Sequence, residues 1–308
     1  MKAALIAVSG RTAHPGEFNP YLEVGDITAV QRLILVFGRA GVDRVVLVTS
    51  GDLRALERHV ARMGAICLHN DRPDAEMLHN LQLGLRYLGE RYTQVVVTPV
   101  DVPLFGADTV RALLDQAAEV AIPLHRGHPG HPVMLRASRY ADILAYEGPD
   151  GLEGALAAGA VRPCYLEVSD PGILCDVGGQ GSPGELQRLV RTHELNRLRP
   201  ELRISLARDK VFFGPGGLTL LELIGETGSL RAACADMGIS YSKGWKMLQA
   251  IEEQLGHPVV TSRKGGEGGG SSALTPEGQA LVRRYLLLVR QSRAAIEALF
   301  AELFGEGI

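Results

Sequence analysis

No lysine occurs between residues 3 and 209; across that stretch the fixed positive charges are all arginine. The lysines are Lys2, Lys210, Lys243, Lys246 and Lys264, so a compositional boundary falls near residue 209. A phosphate-cradling loop completed by lysine is thereby excluded from the first two thirds of the chain. Cysteine is scarce as well: Cys67, Cys164, Cys175 and Cys234 form no C-x-x-C pair, which excludes the usual zinc and disulfide frameworks and leaves reduced thiols. No apolar run approaches a membrane span, and the first residues lack the long apolar region and cleavage site of a signal peptide. A cytoplasmic protein with no membrane partner is therefore expected. A net charge of −3 provides no global basic field for nucleic acid. What is present is a hydrophobic fraction of 46% over 308 residues, enough for one large domain or two smaller ones.

The first part of the chain alternates two kinds of segment. Ala3–Val8, Arg44–Thr49, Ala65–His69 and Gln94–Pro99 are continuous apolar runs, as expected for strands covered on both faces. Between and after them, Thr28–Ala40, Leu53–Met63, Met77–Leu88 and Asp108–Ala118 read as helices, with Gly41 and Gly64 at helix ends. This rhythm predicts an α/β fold with a doubly wound, mostly parallel sheet. Ligands in such sheets bind beyond the carboxyl ends of the strands. Two loops lie there: SGRTAHPGEF, from Ser9, with Gly10 and Gly16, and TPVDVP, with Asp101. A polar helix over Glu185–Leu198 closes a first domain at 1–198, a linker spans 199–205, and a second domain covers 206–308.

The second domain has another rhythm. Leu218–Ile224 begins a helix. Ser229 is a good N-cap for SLRAACADMG and Ser240 for the helix after Gly238. Helix, glycine turn and helix at this spacing predict a helix-turn-helix, whose second helix enters the major groove. Tyr241, Ser242, Lys243 and Lys246 lie in its first two turns and Arg231 on the preceding helix; Trp245, Leu248 and Ile251 read as core. Val259–Ser262 and Ser272–Thr275, with a glycine-rich tip between them, read as a wing that places Arg263 and Lys264 against backbone phosphates. The last helix, Pro276–Leu303, carries an apolar stripe through Leu281, Tyr285, Leu288, Ser292, Ala295, Leu299 and Leu303. Either a second subunit, giving a homodimer, or its own domain must cover that stripe.

GSLRAACADMGISYSKGWKMLQAIEEQLG, with GGEGGGSSALTPEGQAL after it, closely resembles the winged DNA-binding domain of ModE-type molybdate-responsive regulators, with LysR-type domains more distant. The resemblance covers roughly residues 205–300 and implies DNA as partner. A molybdate-binding module of the ModE kind does not follow before Ile308, so any signal is expected to enter elsewhere.

Residues 1–190 resemble the MobA-like nucleotidyltransferases of molybdenum-cofactor maturation. The likeness rests on the first strand and its glycine loop, AEMLHNLQLGL (75–85), TPVDVPLF (98–105), GHPGHPVML (127–135) and DPGILCDVGG (170–179). It implies a nucleoside triphosphate, a molybdopterin-type ligand and Mg²⁺. Ser9, Gly10, Arg11, Gly16 and Asn80 would then hold the nucleotide, Asp101 and Asp176 the metal, and His131 with Pro132 the pterin side. Arg11 and His14 would carry the catalytic charge. The chain departs from the family at that charge. The family loop Gly-Arg-Ser-x-Arg-Met-Gly reads Gly10-Arg11-Thr12-Ala13-His14-Pro15-Gly16 here, the family lysine is absent, and Asn80 replaces a serine. Pro15 also removes a backbone donor. Phosphoryl transfer rests on positioning and charge neutralisation, and losing one transition-state donor costs about 10²–10³ in rate. The expected function is a DNA-binding regulator of molybdenum or molybdopterin metabolism that keeps the first domain for ligand sensing. The alternative is an active Mg-dependent cytidylyl- or guanylyltransferase with an autoregulatory DNA-binding domain.

Overall fold

The computed structural model describes residues 1–8, 22–50, 56, 60, 63–71, 77–178, 183–193, 200–263 and 271–304, with the backbone alone at 50, 183, 185, 262 and 263. The chain divides into two compact units, Met1–Arg197 and Leu198–Ile308. In the first, β1 (Lys2–Val8), β2 (Glu23–Val24) and β3 (Ile27–Thr28) lead into α1 (Ala29–Arg39). β4 (Arg44–Ser50), β5 (Ile66–Asn70), α2 (Met77–Leu88), β6 (Gln94–Pro99) and α3 (Ala107–Leu114) follow. Then come β7 (Val120–His125), β8 (His128–Pro129), β9 (Val133–Arg136), α4 (Tyr140–Ala145), α5 (Gly151–Ala158), β10 (Cys164–Glu167) and α6 (Pro183–Thr192). The second unit holds β11 (Leu206–Ala207), β12 (Val211–Phe213), α7 (Pro215–Thr227), α8 (Leu230–Asp236), α9 (Tyr241–Leu255), β13 (Val260–Arg263), β14 (Ser271–Leu274) and α10 (Pro276–Phe304).

The main sheet runs β10-β7-β9-β6-β1-β4-β5, with β8 added to β7. β1 lies between β4 and β6, parallel to both, and β4–β5 and β10–β7 are also parallel. β9 runs antiparallel between β6 and β7. The mostly parallel sheet is thus as the sequence predicts. All of Ala3–Val8 is buried, because β1 is covered on both faces: Ala4, Ile6 and Val8 join Leu33, Phe37, Leu47 and Phe105 in one core, and Leu5 faces α2. Thr28 starts α1 with a capping box, accepting from Gln31 N at 3.3 Å and donating its own N–H to Gln31 Oε1 at 2.8 Å.

Some boundaries move. The helix expected over Asp108–Ala118 ends at Leu114, where Asp115 N turns back to Arg111 O and the Gln116 side chain donates to Ala112 O, closing the last turn. The helix expected from Glu185 runs over Pro183–Thr192. Of the helix expected over 53–63, Leu56 and Val60 are buried and helical, as the sequence requires of that face, and most of the remainder lies outside the described residues. The hairpin β11–β12 follows directly on the stretch expected to be a linker.

In the second unit, Leu220, Leu223, Ile224, Leu230, Leu248 and Ile251 are buried together with Phe213 and Tyr285. Phe213 and Tyr285 meet edge to face at 5.0 Å. The two strands expected for the wing pair antiparallel, Val260 opposite Leu274 through Arg263 opposite Ser271. No helix among the described residues is long and apolar enough to cross a membrane.

Gly84 in α2 packs directly on the Leu5 side chain, and a Cβ there would collide with it. In a free helix, glycine-to-alanine gains about 1 kcal/mol; overpacking a filled core costs about 1–3 kcal/mol. Net of that gain, Gly84→Ala is expected to destabilise the protein by up to about 2 kcal/mol, read from urea melts. A gain in stability would show that Leu5 does not hold α2 on the sheet.

Candidate functional sites: a strand-end crevice and a winged helix

The crevice lies at the carboxyl ends of β1 and β6. Ser9, Gly10, Arg11, His14 and Gly16, expected in the glycine loop, lie outside the described residues. Val8, just before them, is described: its carbonyl accepts from Asn80 Nδ2 at 3.1 Å. Asn80 is fully buried, and its Oδ1 accepts from Asn70 Nδ2 at 2.7 Å. Both ends of this amide are thus used to tie β1 to the end of β5.

Asp101 follows β6. Val100 N donates to Ala7 O at 3.1 Å, carrying the β1–β6 alignment past the strand end, and Val177 N donates to Asp101 O at 2.8 Å. Asp176 is therefore on a segment stitched to Asp101; its Oδ1 accepts from Gly178 N at 2.8 Å. His131 reaches the same segment, donating its backbone N–H to Ile173 O at 2.9 Å. Residues 170–178 thus form a strap joining the Asp101 loop to the His131–Pro132 loop. Of the near-duplicate pairs in GHPGHP, His128 is exposed in β8, whereas Pro132 is buried and follows a cis peptide bond. The His131 ring is largely buried, its Nδ1 has no hydrogen-bond partner among the described residues, and burial lowers its pKa from 6.5 to about 4.

Two residues that the sequence reading passed over shape this region. Asp170 holds the strap: Oδ2 accepts from Gly106 N at 2.8 Å and Thr109 Oγ1 at 2.6 Å, and Oδ1 from Gly172 N at 2.9 Å. Gly172 lies against the Leu104 carbonyl, where no Cβ fits. The Asp-Pro-Gly run was the available signal, an N-cap with proline at the first helical position. Arg32 in α1 is fully buried and donates Nη2 to Val24 O, while Nε and Nη1 find no partner among the described residues. Burial lowers its pKa, and the charge of Asp26 partly offsets that.

In the second unit both expected N-caps are present. Ser229 Oγ accepts from Ala232 N and Ser240 Oγ from Lys243 N, each at 3.3 Å. Gly238 turns the chain at φ 63°. Gly244 lets α9 lie directly against Cys234 Sγ of α8, where a Cβ would collide. The inner seam of α9 is Gly244, Leu248 and Ile251. Tyr241 (48% exposed), Ser242, Lys243 and Lys246 lie on its open side. Trp245, expected in the core, is 41% exposed instead. It stands one residue, about 100° of rotation, from the Gly244 seam, which turns the indole out beside Tyr241. The Arg231 guanidinium lies over the Tyr241 ring, 5.7 Å from its centre. Arg263 ends β13, with its side chain outside the described residues; Lys264 lies outside them altogether.

The His131 shift has a testable sign. Its folded-state pKa is below that of the unfolded chain, so unfolding takes up a proton between pH 6.5 and 4, and stability falls as the pH drops through that window. Relative to His131→Asn, the wild-type protein is expected to lose up to about 3 kcal/mol between those limits. Urea melts across that range check this; parallel pH profiles for the two proteins would show that the ring is solvated.

Residues 4–162 match the MobA-like NTP transferase domain family, and residues 216–279 match the bacterial regulatory helix-turn-helix proteins of the lysR family. The curated relatives align over about a third of this chain. Molybdenum-pterin-binding protein MopB of Rhodobacter capsulatus is 39% identical over 100 residues, 32% of this chain and 34% of its own. The DNA-binding transcriptional dual regulator ModE of Escherichia coli (strain K12) is 32% identical over 103 residues, 33% of this chain and 39% of its own. The chain thus spans little more than a third of the length of either relative. Among solved structures, a nucleotidyl transferase from Methanothermobacter thermautotroptrophicus superposes with a TM-score of 0.54 at 20% identity, covering 63% of this chain and 99% of that one, a likeness of fold. With about half of its length matched, the chain belongs to the MobA-like NTP transferase domain family, and it carries a LysR-type helix-turn-helix after that domain in sequence.

Proposed function

We propose that this chain is a DNA-binding transcription regulator linked to molybdenum or molybdopterin metabolism. Its MobA-like domain, over residues 1–198, binds a nucleotide or pterin ligand as the signal. The observation that carries this reading is the open side of α9, where Tyr241, Ser242, Trp245 and Lys246 stand exposed on a helix seated by Gly244 and followed by a wing. Such a helix suits the major groove, where side chains meet base edges. The names of the relatives, a transcriptional regulator and a molybdenum-pterin-binding protein, support the molybdenum link. In the same reading the protein is a homodimer through α10, which exposes Leu288, Leu299 and Leu303 and stacks Phe300 on Phe304 at 4.7 Å.

Trp245 is the single tryptophan of the chain, so its emission reports on α9 alone. Titration with duplexes from the promoter regions of the protein's own gene neighbourhood is expected to shift that emission. Trp245→Ala is expected to weaken binding to the preferred duplex more than binding to random sequence, since apolar contact at a base edge distinguishes the thymine methyl. Equal affinity for every duplex, random sequence included, would refute the regulator reading.

The stitch between Val177 N and Asp101 O favours a second reading, an active molybdenum cofactor cytidylyl- or guanylyltransferase, because it brings the segments of Asp101 and Asp176 side by side. Two carboxylates fit Mg²⁺, which takes oxygen ligands and is commonly held by one or two carboxylates plus substrate phosphates. The ion would neutralise triphosphate charge. Asp101 and Asp176 would hold it, the glycine loop would orient the phosphates, and His131, neutral at pH 7, would line the pterin side without adding charge. With molybdopterin, Mg²⁺ and CTP or GTP, pyrophosphate release is expected from the wild-type protein and not from Asp101→Ala. Equal release from the two would exclude this reading.

A further inference from the structure

The stretch before α7 forms a hairpin with a cationic tip. β11 and β12 pair antiparallel, Leu206 opposite Phe213 and Ala207 opposite Val211, and Arg208 N donates to Lys210 O at 3.2 Å to close the turn. Arg208, Asp209 and Lys210 are all exposed at that tip. Its root is fixed: Phe213 is 1% exposed and meets Tyr285 edge to face, and the Tyr285 hydroxyl donates to Ile204 O at 2.7 Å. A free linker has no such anchor. The hairpin therefore presents its tip at a set place on the winged helix.

That place adjoins the recognition helix. A cleft of about 530 Å³ opens between the hairpin and α9. Val211 and Phe212 form its hairpin wall; Ser240, Ser242, Lys243 and Lys246 line the other side. The two walls differ in chemistry. The α9 wall offers two hydroxyls and two ammonium groups near its start, with Met247, Ala250 and Ile251 beyond them. The other offers apolar surface, including Val211 at 67% exposure. Lys210, the next residue back from Val211, adds a cation beside that wall. Tyr241 and Trp245 lie outside the cleft.

We propose that the β11–β12 hairpin is a second DNA-contacting element, and that the cleft between it and α9 seats one stretch of sugar-phosphate backbone. The inference rests on the DNA-binding reading and assigns roles within it. Lys243, Lys246, Arg208 and Lys210 hold phosphates, Ser240 and Ser242 add hydroxyl donors, and the Val211–Phe212 wall packs against deoxyribose. Tyr241 and Trp245 are left to read base edges. Backbone contacts position the protein and carry no sequence information; base contacts specify. The two groups of residues therefore differ in a measurable way.

The test is the salt dependence of duplex binding by the full chain, for a preferred and a random duplex. Each phosphate contact contributes about 0.9 to the slope of log affinity against log salt. Arg208→Ala/Lys210→Ala is expected to make the slope shallower by about 2 and to weaken both duplexes by the same factor. Trp245→Ala is expected to keep the slope and reduce the ratio between the duplexes. An unchanged slope and affinity in the hairpin variant would overturn the inference while leaving the DNA-binding reading intact; failure of the wild-type protein to bind either duplex would overturn both. A hairpin variant that lost only the preference between duplexes would also overturn it, since the tip would then read bases. The hairpin substitutions lie at an exposed turn, and Trp245 emission and thermal melting without DNA establish that the fold is kept.

Discussion

The carboxylate of Asp170 accepts three hydrogen bonds, and the arrangement of the crevice depends on them. Gly106 N, Thr109 Oγ1 and Gly172 N belong to three places: the loop after β6, the first turn of α3 and the strap itself. With the strap fixed there, Ile173 O meets His131 N and Val177 N meets Asp101 O. A hydrogen bond to a charged group contributes about 1.5–3 kcal/mol, and its loss strands a donor in the interior. The strap has no strand partner of its own to replace these bonds. Its close approach at Gly172 allows no side chain, so the fit is set by backbone as well as by charge. The candidate metal and pterin residues sit far apart in sequence, and one acidic side chain, not itself a candidate ligand, brings their loops to a common edge.

The second unit solves a similar problem with contact instead of charge. Gly244 against Cys234 fixes the crossing of α8 and α9, and that crossing decides which residues of α9 face outward. Phe213 against Tyr285 fixes the hairpin to the long helix. Both are close approaches in which shape admits a single arrangement. A major-groove reader needs this, because a small rotation of α9 would exchange Trp245 for a core residue.

Much of this was legible in the sequence. The runs at 3–8, 44–49 and 94–99 are apolar on both faces, which marks strands under a double cover, and the caps at Ser229 and Ser240 mark the helix-turn-helix. Other parts were not legible, for physical reasons. β9 is four residues long and antiparallel, too short for its period to declare a direction. β10 alternates exposed and half-buried residues, a weak signal at that length. Trp245 is apolar by composition, and only the packing at Gly244 shows that the seam passes beside it. Asp170 had a visible local signal, yet two of its three partners lie more than sixty residues away, a distance no local pattern spans. At the crevice, Asp101 could be placed at a strand end by sequence, but the bond that brings the Asp176 segment to it belongs to the tertiary fold.

The distribution of lysine now has a physical reading. After residue 209 it occurs at Lys210 on the hairpin tip, at Lys243 and Lys246 on α9, and at Lys264, outside the described residues, and each is expected or proposed to face DNA. Lysine is a mobile, strongly hydrated point charge that follows a phosphate without demanding one geometry. That suits a backbone which must be held in the same way whatever the sequence, and it makes affinity dependent on salt. Arginine, with its planar fork, suits fixed partners, and it is the cation of the first unit from residue 3 onward. Arg32 beneath Val24 and Arg44 beside the Tyr92 hydroxyl both bond within the fold. The absence of lysine from the strand-end crevice and its concentration on the winged helix are therefore two sides of one division of labour. From residue 3 onward every lysine belongs to the second unit, and at the hairpin tip Arg208 shares the proposed phosphate contacts with Lys210.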